Sequence, residues 1–284
     1  MLPYLSEKKL QDFIVNAIRE DVGDGDHSTL SSIPPEAKKR ARLLVKDDGI
    51  LAGVEMAERI FRFYDPELQM EIFIPDGSEI KKGDVAFTVE GRARSILTME
   101  RLILNIMQRM SGIAAYTRSL VKIIEGTNAR LLDTRKTTPG FRMLEKWAVH
   151  LGGGTNHRFG LYDMIMLKDN HIDFAGGIEK AIVSCHSYLD RLGKKLRIEI
   201  ETRTPEEVEE VLRVGGVDRI MLDNMSPALM KEMVQLINGR YETEASGGIT
   251  EKNIREVAET GVDFISAGAL THSYKSLDLS LKSF

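Results

Sequence analysis

Six short apolar runs in the second half of this chain each end in groups that can do chemistry. RLLDT delivers Asp133 and is followed by Thr134, Arg135 and Lys136, ahead of a Pro139–Gly140 turn. DMIML releases Lys168, Asp169, Asn170 and His171; RIEIE carries Glu199 and Glu201; RIMLD ends in Asp223 and Asn224. YETEA leads to Ser246, Gly247 and Gly248, and DFISA to Ala267, Gly268 and Ala269. Adjacent cations placed where a buried strand emerges call for a strongly anionic partner, because solvation alone does not require them there.

Three kinds of group recur at these ends. Arg135, Lys136, His157, Arg158, Lys168 and His171, with Arg142 in reserve, form a cationic set. Arginine grips a carboxylate in a planar fork and lysine supplies a point charge, which suits a small polycarboxylate or phosphates. Glu201 and Asp223 form an acidic pair on successive runs; with phosphate nearby they suggest Mg²⁺, which takes one or two protein oxygens, directly or through water. The turns SGGI and AGAL open helices, whose first N–H groups bind phosphate. Together they describe a polycarboxylate and a phosphorylated, magnesium-bound second substrate.

These groups need elements to hold them. From about residue 130, strands alternate with helical segments at about 140–150, 176–191, 204–214, 226–238 and 250–260. Such alternation implies parallel pairing, and the apolar strands imply a sheet covered on both faces. No GxGxxG or GxxxxGK occurs, so a doubly wound nucleotide fold is disfavoured. The expectation is an incomplete parallel α/β barrel of fewer than eight strands, with its site on the C-terminal rim. Ahead of it lies an α+β sandwich domain with helices over 5–20 and Val54–Tyr64. A helical segment over 97–125, one helix or two, has Ser111 and Gly112 at its likely bend. The expected boundaries are 1–112 for the first domain, joined by the tail at about 274–284, and 113–273 for the barrel.

Composition narrows the function classes. A net charge of −4 argues against a general nucleic-acid surface, so any anion site is local. The single cysteine, Cys185, excludes an intrachain disulfide framework and fits a reducing compartment. No apolar run reaches membrane-spanning length, so a cytoplasmic, membrane-free protein is expected. Trp147, Cys185 and the methionines read as core. His27 in DGDHST reads as a turn or cap, and Gly152–Gly154 as a flexible turn that places His157 and Arg158. His272 stands between a supporting and a structural role. PDGSEIKKGDVAFTVEG (75–91) has the turns of a carrier domain, but Lys81 and Lys82 lack a carrier lysine's setting.

The stretches ERLILNIMQRMSGIAAYT, LLDTRKTTPGFRMLEKWAV, GGGTNHRFGLYDMIMLKDNHI, IEIE, IMLDN, ASGGI and SAGALTHS resemble, in order, quinolinate phosphoribosyltransferase of the type II phosphoribosyltransferase family. The resemblance covers about residues 98–273, and DTRKTTPG, GGGxNHR and KDNH are specific. It implies a glycosyltransferase-class enzyme that converts quinolinate and phosphoribosyl pyrophosphate to nicotinate mononucleotide, pyrophosphate and CO2, with Mg²⁺, in NAD biosynthesis. It also implies a homodimer, or a higher oligomer, with sites shared between subunits. By motif, Thr134, Arg135, Lys136, His157, Arg158 and Lys168 correspond to the quinolinate-binding set, and Arg101 to an arginine reaching in from the partner. Glu201 and Asp223 correspond to the acids beside ribose and metal. Ser246, Gly247, Gly248, Ala267, Gly268 and Ala269 correspond to phosphate-binding turns. Lys136 and Lys168 join the two acids as catalytic candidates. Glu199 remains an alternative to Glu201. A paralogue acting on another ring carboxylate, or in a molybdenum-linked role, is the alternative reading.

Overall fold

The computed structural model describes residues 2–284, which divide into two compact units. The first comprises the N-terminal segment through Arg118, residues 138–153 and the tail from Tyr274. Helix α1 (Glu7–Val22) starts at Ser6, whose hydroxyl accepts from Lys9 N, and buries Leu10 and Ile14. A short α2 (His27–Ser32) follows, capped by Asp26, whose carboxylate accepts from Thr29 N at 3.0 Å. His27 is thus the first residue of a helix. Strands β1 (Lys38–Val45), β3 (Gln69–Ile72) and β5 (Val85–Arg92) join the final strand β12 (Leu279–Ser283) in an antiparallel sheet ordered β12-β1-β5-β3. Two short strands, β2 (Gly49–Ile50) and β4 (Glu79–Ile80), pair separately. Helix α3 (Val54–Tyr64) packs on the sheet through Phe61, whose ring meets Phe87 edge-on at 6.5 Å.

Helix α4 runs unbroken from Ala93 to Ile123, one helix and not two, so Ser111 and Gly112 do not interrupt it. Their small size serves close packing. Ser111 Oγ donates to Ala52 O and accepts from Ala52 N at 2.9 Å. A Cβ on Gly112 would lie 2.9 Å from Ser276 Cα and closer still to Lys275 O. Residues 138–153, expected with the barrel, pack in this unit as α5 (Arg142–Leu151), in which Met143–Val149 are all buried. Trp147 is core. Glu145, fully buried, pairs with Arg109 of α4 and accepts from Thr138 N at 3.0 Å. Gly152 lets α5 end against α4, since a Cβ there would meet Ala114 O at 2.5 Å.

Asp65, at the end of α3, is 1% exposed and accepts from Arg92 Nε at 2.7 Å, Ser95 Oγ at 2.6 Å and Glu67 N at 3.1 Å. The Arg92 hydrogen bonds lead in lowering its pKa from 3.8 to about 2, against burial. A carboxyl with a depressed folded pKa stabilises above the unfolded value and loses that contribution as pH falls through the folded value. Asp65 therefore contributes roughly 2 kcal/mol at neutral pH, falling by about half at pH 3. In urea titrations at pH 7, Asp65→Asn is expected to lose about that amount, with the gap to the parent narrowing towards pH 3. A gap independent of pH would refute the charge assignment.

The second unit holds six strands, β6 (Arg130–Leu132), β7 (Ile165–Leu167), β8 (Ile198–Thr202), β9 (Arg219–Asp223), β10 (Glu242–Ser246) and β11 (Phe264–Ser266). They form one parallel sheet ordered β6-β11-β10-β9-β8-β7. The order does not close β6 onto β7, so the barrel is incomplete, as expected. The crossover helices are α7 (Ile178–Leu192), α8 (Pro205–Val214), α9 (Pro227–Ile237) and α10 (Ile254–Ala258), joined by short helices α6 (Asp169–Ala175) and α11 (Ala269–His272). Thr204 and Ser226 cap α8 and α9, each followed by proline at the first turn, where the missing N–H has no intrahelical partner. Cys185 is buried mid-α7, and burial pushes its thiol pKa up. No helix among the described residues is long and apolar enough to cross a membrane.

Candidate active site

Side chains alternate along a strand, so Glu199 and Glu201 of β8 share one face, at different depths. Register fixes those depths: Glu199 lies opposite Arg219, Glu201 opposite Met221, and Asp223 opposite Ser246. Glu199 is fully buried, whereas Glu201 has Lys168 Nζ at 4.0 Å. Burial and then the charge of Asp223 push the Glu201 carboxyl above its usual range, with Lys168 opposing them. The acid facing Asp223 on the rim is therefore Glu201. Asp223 is held on both sides: Ser246 Oγ donates to Oδ1, and Asn224 Nδ2 donates to Oδ2 at 2.7 Å.

The loop after β6 supplies cations. Thr134 Oγ1 accepts from Lys136 N at 3.0 Å, forming the turn that turns Arg135 and Lys136 apart. Arg135 is half-buried, and its Nε has no hydrogen-bond partner among the described residues. Arg158 donates from Nη1 to Met164 O at 3.1 Å; burial and then the charge of Arg135 push its pKa down. Two guanidiniums thus stand close enough for the charge of Arg135 to act on Arg158, and Arg135 keeps a buried N–H with no hydrogen-bond partner among the described residues. Lys168 is exposed at the start of α6, and His171 Nδ1 accepts from its backbone N–H at 3.0 Å, so His171 serves as a helix cap.

His157, expected among the substrate ligands, is buried, with its ring beside two glutamates. It is 8% exposed, with Nε2 at 3.2 Å from Glu199 and 3.3 Å from Glu244, while Nδ1 accepts from Arg158 N at 2.6 Å. The ring points into the barrel, beneath the rim. Burial disfavours its cation, but the hydrogen bonds and charges of the two glutamates outweigh that and raise its pKa to about 9. The Arg158 contact acts the other way, because a protonated Nδ1 cannot accept. Hydrogen-bond geometry decides the tautomer: the proton is on Nε2. Asp133, fully buried, fixes this loop by accepting from His157 N at 2.8 Å and Asn156 Nδ2 at 2.7 Å.

The two glycine turns differ. Gly247 and Gly248 have φ of +93° and +61°, and a Cβ on Gly247 would collide with the Asn224 side chain. At the other turn, Ala267 N donates to Leu132 O at 3.0 Å, so its N–H is spent joining β11 to β6. Gly268 lies under Lys136 and His272: a Cβ there would come within 2.9 Å of Lys136 Cδ and 3.1 Å of His272 Nε2. Thr271 Oγ1 donates to Lys136 O at 2.8 Å. Lys136 thus stands over the AGA turn. Arg101 is exposed on α4, and Arg142 opens α5; both belong to the first unit. Sequence reasoning missed Asp133 as an anchor and Glu244, Arg219 and Asn224 as supports.

An open parallel barrel whose rim sets paired acids against clustered cations and glycine turns defines a transferase of anionic substrates. The description "Quinolinate phosphoribosyl transferase" matches this chain twice, its N-terminal domain over residues 26–111 and its C-terminal domain over 113–282. The chain belongs to the quinolinate phosphoribosyltransferase family. It is 47% identical to quinolinate phosphoribosyltransferase [decarboxylating] 1b of Nicotiana tabacum, over 96% of this chain and 82% of that protein. It is 42% identical to a probable nicotinate-nucleotide pyrophosphorylase [carboxylating] of Bacillus subtilis, over 98% and 94%. The crystal structure of NadC from Streptococcus pyogenes superposes with a TM-score of 0.92 at 38% identity, over 99% of both chains.

Proposed function

We propose that this chain transfers phosphoribosyl from phosphoribosyl pyrophosphate to the ring nitrogen of quinolinate and releases CO2, forming nicotinate mononucleotide for NAD synthesis. The observation that carries this reading is the pair Arg135 and Arg158, near enough that the charge of the first lowers the pKa of the second. A dianion such as quinolinate satisfies both guanidiniums; Lys168 and Thr134 border the same rim.

The bond from the ribose anomeric carbon to pyrophosphate breaks with its electron pair leaving on oxygen. Asp223 and Glu201 stabilise the positive charge that develops on the sugar. The pyridine nitrogen forms the new bond, held in line by the cations that grip its neighbouring carboxylate. The quaternary nitrogen then stabilises, by its positive charge, the electron pair that stays on the adjacent ring carbon when CO2 departs, and a proton takes up that pair to form the C–H bond. No protein nucleophile is required. Lys136, Gly268 and Ala269, with Ser246, Gly247 and Gly248 opposite, hold phosphate groups. Glu201 and Asp223 suit Mg²⁺: they are carboxylates on neighbouring strands of the rim, and burial and then the charge of Asp223 push the Glu201 carboxyl up, a cost that a cation would relieve. When bound, Mg²⁺ would offset the negative charge of the pyrophosphate leaving group. Labelled CO2 should be released from carboxyl-labelled quinolinate only when phosphoribosyl pyrophosphate is added; release without it, or none with it, would refute this reading.

The same reading makes the protein a homodimer in which Arg101 completes the partner's site, working in a reducing, cytoplasmic compartment. Arg101→Ala and Arg135→Ala homodimers are each expected to be nearly inactive. A two-fold interface is reciprocal, so a mixed dimer has one site with both defects and one with neither. Equal mixing gives half mixed dimers, and thus roughly a quarter of parent activity. No recovery after verified exchange would place Arg101 outside a shared site.

A further inference from the structure

The barrel interior beneath the rim holds more charge than a barrel needs. Such interiors are normally filled by branched apolar residues, yet here Glu199, Glu244 and Arg219 lie at 0%, 0% and 6% exposure. Arg219 Nη1 reaches Glu244 at 2.9 Å and Glu199 at 3.6 Å. Its other nitrogens bind Glu242 at 3.0–3.1 Å, and its guanidinium lies 3.9 Å from the centre of the Phe264 ring. A buried ion network is a weak source of stability, because desolvation offsets its attraction. Its value here lies in orientation.

The network reaches towards the rim through His157. Its Nε2 faces both glutamates, its Nδ1 accepts from the main-chain N–H of Arg158, and its own main-chain N–H is fixed by Asp133. Accepting at Nδ1 assigns the ring one tautomer, with its proton on the Nε2 that lies between the two carboxylates. The ligand atoms of His157, Glu199 and Glu244 lie within 4.8 Å of one another, a spacing that would also suit a divalent metal. Arg219 already occupies the carboxylate side of that space, and a divalent ion beside a guanidinium would be repelled.

We propose that Glu199 and Glu244, braced by Arg219, are positioning residues that lock the His157 ring and, through its Nδ1, set Arg158 against the carboxylates of the ring acid. The proposal rests on the quinolinate reading of the rim, and it supplies an ordering device that this reading lacks. A carboxylate–imidazole pair fixing the tautomer of a histidine that orients a further group follows the logic of metal and catalytic sites, here applied to an arginine.

The test is a double-mutant cycle on quinolinate affinity, measured by calorimetry, joined to ¹⁵N NMR of the His157 ring. The parent ring should show Nδ1 unprotonated and Nε2 protonated. Glu244→Gln should weaken quinolinate binding about tenfold and leave phosphoribosyl pyrophosphate binding unchanged. In an Arg158→Ala background the same substitution should have almost no further effect, since its influence passes through Arg158. If Glu244→Gln fails to fold, Glu199→Gln carries the same cycle. Additive losses, an Nδ1-protonated parent ring, or one tightly held divalent metal per chain that Glu244→Gln releases would each overturn the proposal. A parent that binds no quinolinate would instead refute the reading of the rim, while the NMR result would still judge the lock.

Discussion

Arg135→Ala is expected to weaken quinolinate binding by roughly 2–5 kcal/mol, the cost of leaving a carboxylate unpaired in a poorly solvated pocket. That corresponds to about thirtyfold to several thousandfold in dissociation constant. The upper part of the range applies because Arg135 Nε is buried with no partner of its own, so its binding capacity is reserved for the ligand. Removing Arg135 also relieves Arg158, whose pKa it helps to depress, and that relief offsets part of the loss. Lys168→Ala should fall near the lower end, since its side chain is 49% exposed and water replaces much of what it supplies. Nicotinate, with one carboxylate instead of two, should bind the parent far more weakly than quinolinate. Calorimetry giving comparable affinities for the two acids would refute the dianion argument.

The strands were readable because burial on both faces forces continuous apolar runs, and the rim was readable because each run ends in polar residues. RIMLD and RIEIE show both properties, and β8 and β9 lie where those stretches placed them. Depth was not readable. Glu199 and Glu201 are equivalent by alternation, and only pairing with β9 shows that one is interior and the other on the rim. YETEA reads as a strand with polar residues to spare, so nothing in it marks Glu244 as a partner of Arg219. His157 was legible as a residue of the site by type and neighbourhood, but not in direction, because ring orientation depends on Asp133 and Glu244 far along the chain. Gly112 looked like a bend because glycine weakens helices; in the structure it is the tail's close approach that requires it. The short helices α6 and α11 carry too few turns to show a period.

Asp223→Asn is expected to lower turnover about a hundredfold or more while leaving quinolinate affinity largely intact. The magnitude is that of removing one preorganised electrostatic stabiliser of a transition state, and the structure shows how preorganised Asp223 is. Ser246 holds one carboxylate oxygen and Asn224 the other. Asn224 adopts φ +54° to reach it, a left-handed conformation that asparagine tolerates better than most residues. Gly247 must be glycine to leave room for that side chain. Three residues therefore serve one carboxylate, which fixes its charge towards the place where the sugar becomes positive. Asparagine at 223 keeps the shape, removes the charge, and sets an amide N–H₂ against a neighbour that also donates. The cations assigned to the ring acid lie in the loop after β6 and on the segments flanking β7, so binding of the dianion is not expected to depend on this acid. Pre-steady-state turnover and calorimetry on the same preparation separate the two quantities. Lost quinolinate affinity with unchanged turnover would move Asp223 from the sugar to the ring acid, and with it the direction in which the whole rim has been read.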